Sequence, residues 1–570
     1  MKRLALLLLF PCAAPAAGDA LSAMRDELAR SRALRVPNLD APYFIEYALD
    51  DAESVAISAT LGGIVSQRRE RVRLPEVRVR VGDYKFDNTN YAGGFYGGFE
   101  NERFPLDDLY PVMRRYFWLA TDNAYKRALE VLSRKRAALR NVALAEAIDD
   151  FARAAPARHV AASHPETPDE AAWAARLRAL SALLAAYRLK NSSIEFEAIR
   201  STHYYVNSEG SEARFPEDLV FLRARVMAQA PDGMTARDAA VFHARDLRGL
   251  PPEPDLARGI QQLGASAAAL ARAPRGEDYS GPVLFEGMAS PQLFAEVLGR
   301  SFALTRRPVM EPGRPGAFPY SELDGREGAR ILPEFFDVVD DPTQTEWRGR
   351  RLFGSYPVDR EGVAPKPVFL VEKGVLKGFL TTRQPVRGHS GSNGRARLPG
   401  SFGASAAAIS NLFVRASETS TLPELKRKLI EICNTRGKPY GLLVRKMDFP
   451  SSASFEEVRR LVTGSAQGGS ARPVSMPVLV YKVYPDGREE LVRGLRFRGL
   501  NARSFKDVLA AADDENLFEF LNNTAPFALM GAGGYVAETC VVAPSVLIDD
   551  LELHPAEEEL PKLPVVPPPV

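Results

Sequence analysis

Residues 291–302 read PQLFAEVLGRSF and set one acid, Glu296, inside an apolar run, with Arg300 four positions on. An acid so placed is the residue type that takes a proton from an attacking water. When a metal supplies that water, imidazoles must stand beside the acid to hold the ion. Positions 295 and 300 hold Ala and Arg instead. On an ideal α-helix residues four apart face one another, so the spacing predicts either a Glu296–Arg300 ion pair or two solvated charges. An ordinary core helix fits the same residues, with Ser290 as N-cap, Pro291 opening the helix and Leu293, Phe294, Val297 and Leu298 as its buried face.

The other residue types capable of chemistry are scattered. The six histidines are His159, His164, His203, His243, His389 and His554. None pairs with another at metal-ligand spacing in a regular element: His159 and His164 lie in ARHVAASHPETP, which reads as a loop, and His554 falls in the tail. GHSGS at 388–392 is not a nucleophile elbow, because Ser392 stands where G-x-S-x-G needs its last glycine, so Ser390 is not expected to attack. GAGG at 531–534 lacks the strand-then-helix context of a dinucleotide loop. The neighbours Asp340-Asp341 and Asp513-Asp514 read as caps or loop charges. The loop bearing Arg387, Arg395 and Arg397 could grip a peptide carboxylate, with Arg395 and Arg397 as the binding residues, or lie solvated, which is the usual fate of clustered charge.

These side chains must be positioned by a chain of 570 residues, 45% of them apolar, long enough for two domains with separate cores. A formal net charge of +2 gives no global field to recruit nucleic acid. The opening MKRLALLLLFPCAAPAAGDA has two cations, a short apolar stretch and Ala14-Pro15-Ala16 where a signal peptidase needs small residues, which predicts export to the periplasm or medium. Pro11 before Cys12 argues against a lipid anchor. No later stretch is apolar enough to span a bilayer once the signal is removed. Cys433 and Cys540 remain; they form no disulfide framework, and whether they bond is open.

Residues 1–20 are expected to be the signal peptide and 21–250 an α+β domain: a helical lead, alternating strands from Pro42 to Tyr91, a helical stretch from 110 broken at Asn123, an alanine-rich helix at 169–188 and further strands to about 246, with a turn at Pro231-Asp232-Gly233. Residues 251–280 read as a linker between the domains: a break at LPPEPD (250–255), an alanine-rich helix, and APRGEDYSGP (273–282) leading into the second domain. From 281 to 555 the pattern is a largely antiparallel β domain, with tight turns at Lys373-Gly374 and Pro485-Asp486-Gly487. One helix interrupts it, opened by the T-x-x-E capping box Thr421–Glu424 and stopped at Gly437. Residues 556–570 form a proline-rich tail without regular structure. The fold class is therefore α+β.

The segments GPVLFEGMASPQLFAEVLGRSF, GVLKGFLTTRQ, SNGRAR, SNLFVRASETS, VRGLRFRGLN and APSVLIDDLEL occur in the order seen in the TldD/PmbA (TldE) family, and HYYVNSEGSEARFP is similar to its N-terminal half. The resemblance implies a zinc metallopeptidase fold, an H-E-x-x-x-H helix with a distant cysteine as ligands, flexible peptides as substrates and a paired assembly, as a homodimer or with a TldD-like subunit. On that pattern Glu296 keeps the general-base position, while the ligand positions fall on Ala295, Arg300 and Met530. A methyl group cannot bind zinc, a guanidinium has no lone pair to give, and one thioether holds zinc poorly. Two functions follow: a non-catalytic peptide-binding or partner subunit that carries no cofactor, or an active zinc peptidase using other ligands.

Overall fold

The structure is a computed structural model that describes residues 19–94, 104–140, 148–162, 166–310, 321–448, 474–522 and 537–556. Met530, the 531–534 glycines, His164, the proline-rich tail after Ala556 and all but the last two residues of the expected signal lie outside the described residues. The described residues begin inside the span predicted as leader. Asp19 accepts from the Leu21 amide as N-cap of α1 (Ala20–Ser31), and Ala20 and Leu21 are already buried.

The first unit is built on a seven-stranded sheet. β1 (Pro42–Thr60) and β2 (Gly63–Val81) form a long antiparallel hairpin, and β1 pairs on its other edge with β4 (Asn191–Asn207). β4 is continued by β5 (Glu212–Pro216) and β6 (Leu219–Gln229), while β7 (Thr235–Ala244) returns from β6 through the expected turn, where Gly233 takes φ +91°. The short β3 (Arg158–Val160) runs parallel to β5.

Two helix pairs cover this sheet. α1 and α2 (Tyr110–Leu139) bury Met24, Leu28, Phe117 and Leu132 against Tyr47 and Val79. α2 is not broken at Asn123, whose side chain points to solvent on a continuous helix and so caps nothing. α3 (Glu170–Ala182) and α4 (Glu253–Arg272) bury Trp173, Leu177, Leu256 and Ile260 against Ile57, Phe196 and Leu222. Most of the span read as a linker is thus core helix, because its apolar positions recur at helical spacing and close the second half of the sheet.

The second unit begins at β8 (Tyr279–Phe285) and is built on two large sheets, with two further two-stranded sheets among the described residues. One has six strands, with Phe336–Asp340 and Asn411–Ala416 at its centre; the other has seven, with β8 between Gly441–Met447 and Val546–Pro555. Pairing is mostly antiparallel, with parallel contacts at Gly441–Met447 on β8 and Ala537–Ala543 on Asn411–Ala416. The turn at Lys373-Gly374 has φ +45° and +73°, the pair of left-handed residues a two-residue hairpin requires. α6 (Leu422–Thr435) carries the predicted capping box and buries Leu425, Leu429 and Cys433. His554 belongs to the last strand, opposite Arg496, and not to the tail. Cys433 and Cys540 are both free and buried. No helix among the described residues is long and apolar enough to cross a membrane.

Candidate functional site

The Glu296 helix starts after a tight turn at Gly287, φ +61°, that redirects the chain leaving β8. One short α-helical stretch, α5 (Ala289–Leu293), leads into a π-helix at Phe294–Gly299. Ser290 is therefore inside the helix and not its cap; its hydroxyl donates to the Pro544 carbonyl at 2.6 Å and ties the helix to the final strand. Phe294, Ala295, Val297 and Leu298 share one core with Val283 and Phe285 of one sheet and Val338, Leu412 and Val541 of the other. The helix is a wedge between the two sheets.

The segment carrying Glu296 is π-helical. Its hydrogen bonds run from i to i+5, so each turn takes more residues than an α turn. Positions five apart, such as 295 and 300, lie closer to one face than they would on an α turn. The spacing in H-E-x-x-x-H is five, which is the separation such a turn serves. The predicted Glu296–Arg300 pair does not form: Arg300 is exposed, while Glu296 is buried with both oxygens engaged elsewhere. Gln292 Nε2 donates to Glu296 Oε1 at 2.8 Å and to the Asp448 carbonyl at 2.8 Å. The Ser475 amide donates to Oε2 at 2.7 Å.

Zinc does not fit the described ligand positions. Ala295 is a core methyl, and Ile409 packs so closely on the π segment that a Cβ at Gly299 would lie 2.7 Å from its Cδ1. Cys540 offers no substitute, since burial pushes its thiol well above the ordinary range and its Sγ donates to Asn411 Oδ1 at 3.0 Å. One group of potential ligands gathers elsewhere among the described residues, Asp50, His203 and Glu217. A guanidinium already serves it: Arg360 donates to Asp50 Oδ2 at 2.9 Å and to Glu217 Oε2 at 3.4 Å, and His203 Nδ1 lies 2.6 Å from Asp50 Oδ1. Burial pushes the Asp50 carboxyl up, but Arg360 and His203 outweigh it and hold it below the usual carboxylate range. This is an ion-pair seam between the two units.

Two of the three arginines read as solvated or peptide-binding, Arg395 and Arg397, are neither exposed nor free. Arg395 is 0% exposed, with Nε 2.6 Å from Asp340 Oδ1 and its remaining N–H groups on the carbonyls of Asp340, Lys366 and Asn393. Arg397 pairs with Glu538 at 3.0 Å and lies over the Tyr356 ring at 4.1 Å. Their loop is pulled inward because each guanidinium has a buried acid to neutralise. Arg387, by contrast, is exposed.

Ser390 is exposed on a tight turn closed by Val386 and His389, with no strand-to-helix elbow. His389 meets Glu327 at 3.5 Å. His243 is buried and stacks on Phe353, and burial pushes its imidazole down to about 3. Asp340, read as a loop charge, proves to be the acid that anchors Arg395 and Ser410. The buried neighbours Asp359 and Glu361 carried no sequence signal at all.

Residues 279–447 match the model of the PmbA/TldA metallopeptidase C-terminal domain. Two curated relatives described as metalloproteases align locally. The one from Archaeoglobus fulgidus is 38% identical over 78 residues, 14% of this chain and 17% of that protein. The one from Methanothermobacter thermautotrophicus is 41% identical over 64 residues, 11% of this chain and 13% of that protein. The matches therefore span less than a fifth of those relatives' length.

Whole-fold likeness is broader. TldE from Thermococcus kodakarensis superposes with a TM-score of 0.56 at 12% identity, covering 93% of this chain and 99% of that one. A protein from Thermotoga maritima described as a modulator of a DNA gyrase gives 0.53 at 14% identity, covering 90% and 96%. Residues 279–447 are thus similar in sequence to the PmbA/TldA metallopeptidase C-terminal domain, and the α+β architecture is shared almost end to end with the TldE-type structures.

Proposed function

We propose that this chain is an exported TldD/PmbA-like protein whose peptidase site holds no metal, and that it serves as a non-catalytic, peptide-binding or partner subunit of a peptidase assembly. One observation carries the reading. The π turn keeps the geometry that would align ligands five residues apart, yet a core methyl and an exposed guanidinium stand at those two positions, and Glu296 is held by Gln292 and Ser475. A carboxylate saturated in this way is a structural acceptor, not a base waiting for a water. Sheet edges can still take an extended peptide through backbone hydrogen bonds, which need no ion.

The test is metal content and turnover of the purified chain. Zinc well below one equivalent and no peptide hydrolysis are expected, with Glu296→Gln leaving hydrolysis unchanged. Because Gln can accept from the Ser475 amide and lose only the acceptor facing Gln292, that variant should also lose about 1 kcal/mol or less of stability. Stoichiometric zinc with cleavage abolished by the variant sinks the proposal in favour of an active peptidase with other ligands. Export is checked by sequencing the mature N-terminus from the native host. Cleavage is expected before Asp19, since removing Asp19 or Ala20 would strip the cap and first buried residue from α1. A chain that retains Met1 in the cytoplasm rejects it. Copurification with a chain carrying an intact H-E-x-x-x-H identifies the partner.

A further inference from the structure

A cavity of about 600 Å³ opens in the first unit between the end of α1, the start of β1 and the β4–β5 turn. Arg32, Arg35 and Arg153 stand around it, and Tyr43, Tyr84 and Glu209 form the inner wall. The wall is fixed in place. Tyr84 meets the Tyr43 ring edge-on at 4.6 Å, carries the Arg153 guanidinium over its face at 3.9 Å and donates its hydroxyl to Glu209 Oε1 at 2.7 Å.

The charge in this cavity is lopsided. Its one carboxylate, Glu209, is neutralised from behind by Arg383, which is 0% exposed and sits 2.6 Å from Oε2. Both phenolic donors are already spent, Tyr84 on Glu209 and Tyr43 on Asp87 Oδ2 at 2.7 Å. Arg35 donates to the carbonyls of Arg32 and Leu34 and meets no acid among the described residues. The guanidinium groups of Arg32 and Arg153 make no hydrogen bond or ion pair with any described residue. What remains is a concave space with guanidinium donors and no uncompensated acceptor, which selects an oxyanion. Its volume lies in the range for small organic ligands and far exceeds that of an inorganic ion, and Pro42, Ile45 and Ala154 supply apolar wall.

We propose that this cavity binds the C-terminal carboxylate of a short peptide, with Arg32 and Arg153 as the forks that take it. The site is remote in sequence from the Glu296 helix and rests on the peptide-binding reading above. The experiment is calorimetric titration of the full chain with Ala-Ala-Ala as free acid, with the same peptide as C-terminal amide, and with inorganic phosphate. Arg32→Gln and Arg153→Gln are titrated in parallel; both side chains are exposed, so the fold is expected to survive, and thermal unfolding checks it.

The free acid is expected to bind, the amide to bind roughly tenfold more weakly or not at all, and each variant to lose roughly tenfold, the size of one charge-assisted hydrogen bond. Phosphate should not displace the peptide. Equal binding of acid and amide, or full affinity in both variants, overturns the carboxylate site while leaving peptide binding elsewhere intact. Phosphate competing as well as the free acid assigns the cavity to a free anion and overturns it too. If no peptide binds at all, both this site and the peptide-binding half of the proposed function fall, whereas the zinc result stands apart.

Discussion

Arg395→Met is expected to destabilise the protein by about 3–5 kcal/mol, the cost of leaving a buried acid without its counter-charge. Asp340 and Arg395 are both 0% exposed and 2.6 Å apart. The acid sits at the end of the strand Phe336–Asp340, and it also accepts from the Ser410 amide and hydroxyl, each at 2.7 Å. Arg395 crosses from its loop to reach the acid and two further carbonyls of neighbouring segments. Removing the guanidinium therefore strands one charge and three carbonyl oxygens at the centre of the six-stranded sheet. Urea unfolding of wild type and variant measures the loss. Adding Asp340→Asn should recover part of it, because a neutral amide oxygen can still accept from Ser410 and no charge is left buried. A loss under about 1 kcal/mol with impaired peptide binding would restore the reading of Arg395 as a surface contact.

That reversal shows what the sequence can and cannot convey. Elements whose logic is local were legible: the Thr421–Glu424 box, the Lys373-Gly374 turn, the alternation of β1 and β2 and the buried face of the Glu296 helix all appear where their residues put them. Pairings between distant segments were not. Nothing near Arg395 in the chain announces Asp340, and nothing near Lys135 announces that its amine, 2.6 Å from Asp150, will be buried beside the carbonyls of Asp87 and Thr89. A charge cluster is usually solvated, and that prior fails when the fold carries acids in from elsewhere.

The π turn was hidden for a different reason. Helical spacing rules assume α geometry, whereas Glu296 lies in a π segment and its oxygens are taken by Gln292 and by the distant Ser475 amide. The family pattern did hold the clue, since ligands five apart suit that turn. The alanine-rich helix expected after LPPEPD forms, but it packs into the first unit's core and does not belong to a linker. Pro252 and Pro254 open α4, where proline at the first helical positions is tolerated.

Stability is expected to fall as the pH rises from about 5 to 8, and the source is a pair of buried acids. Asp359 and Glu361 are 2% and 1% exposed. Burial first, and the Glu361 charge second, push the Asp359 carboxyl from 3.8 up to about 7, against the pull of the Val363, Ala396 and Glu361 amides. The folded state thus holds a proton that the unfolded state gives up. Such a group contributes fully below its unfolded value and loses its contribution as pH rises through its folded value. A gap of this size corresponds to about 4 kcal/mol between the two limits.

Glu361→Gln removes the second cause and leaves the first. Its amide oxygen can keep the hydrogen bond from the Arg383 amide, which now reaches Oε2 at 2.7 Å, and its NH₂ falls where Oε1 has no partner. The variant should therefore be more stable than wild type at pH 8, nearly equal at pH 5, and flatter between them. Urea midpoints across that range decide it. The seam matters because Ser211 donates to the Gly362 carbonyl at 2.9 Å and Arg360 reaches Asp50, so the segment carrying the acid pair joins the two units. Identical pH profiles for wild type and variant would mean that the Glu361 charge does not raise the Asp359 carboxyl, and the seam would then be held by Arg360 and the Ser211 contact without help from that charge.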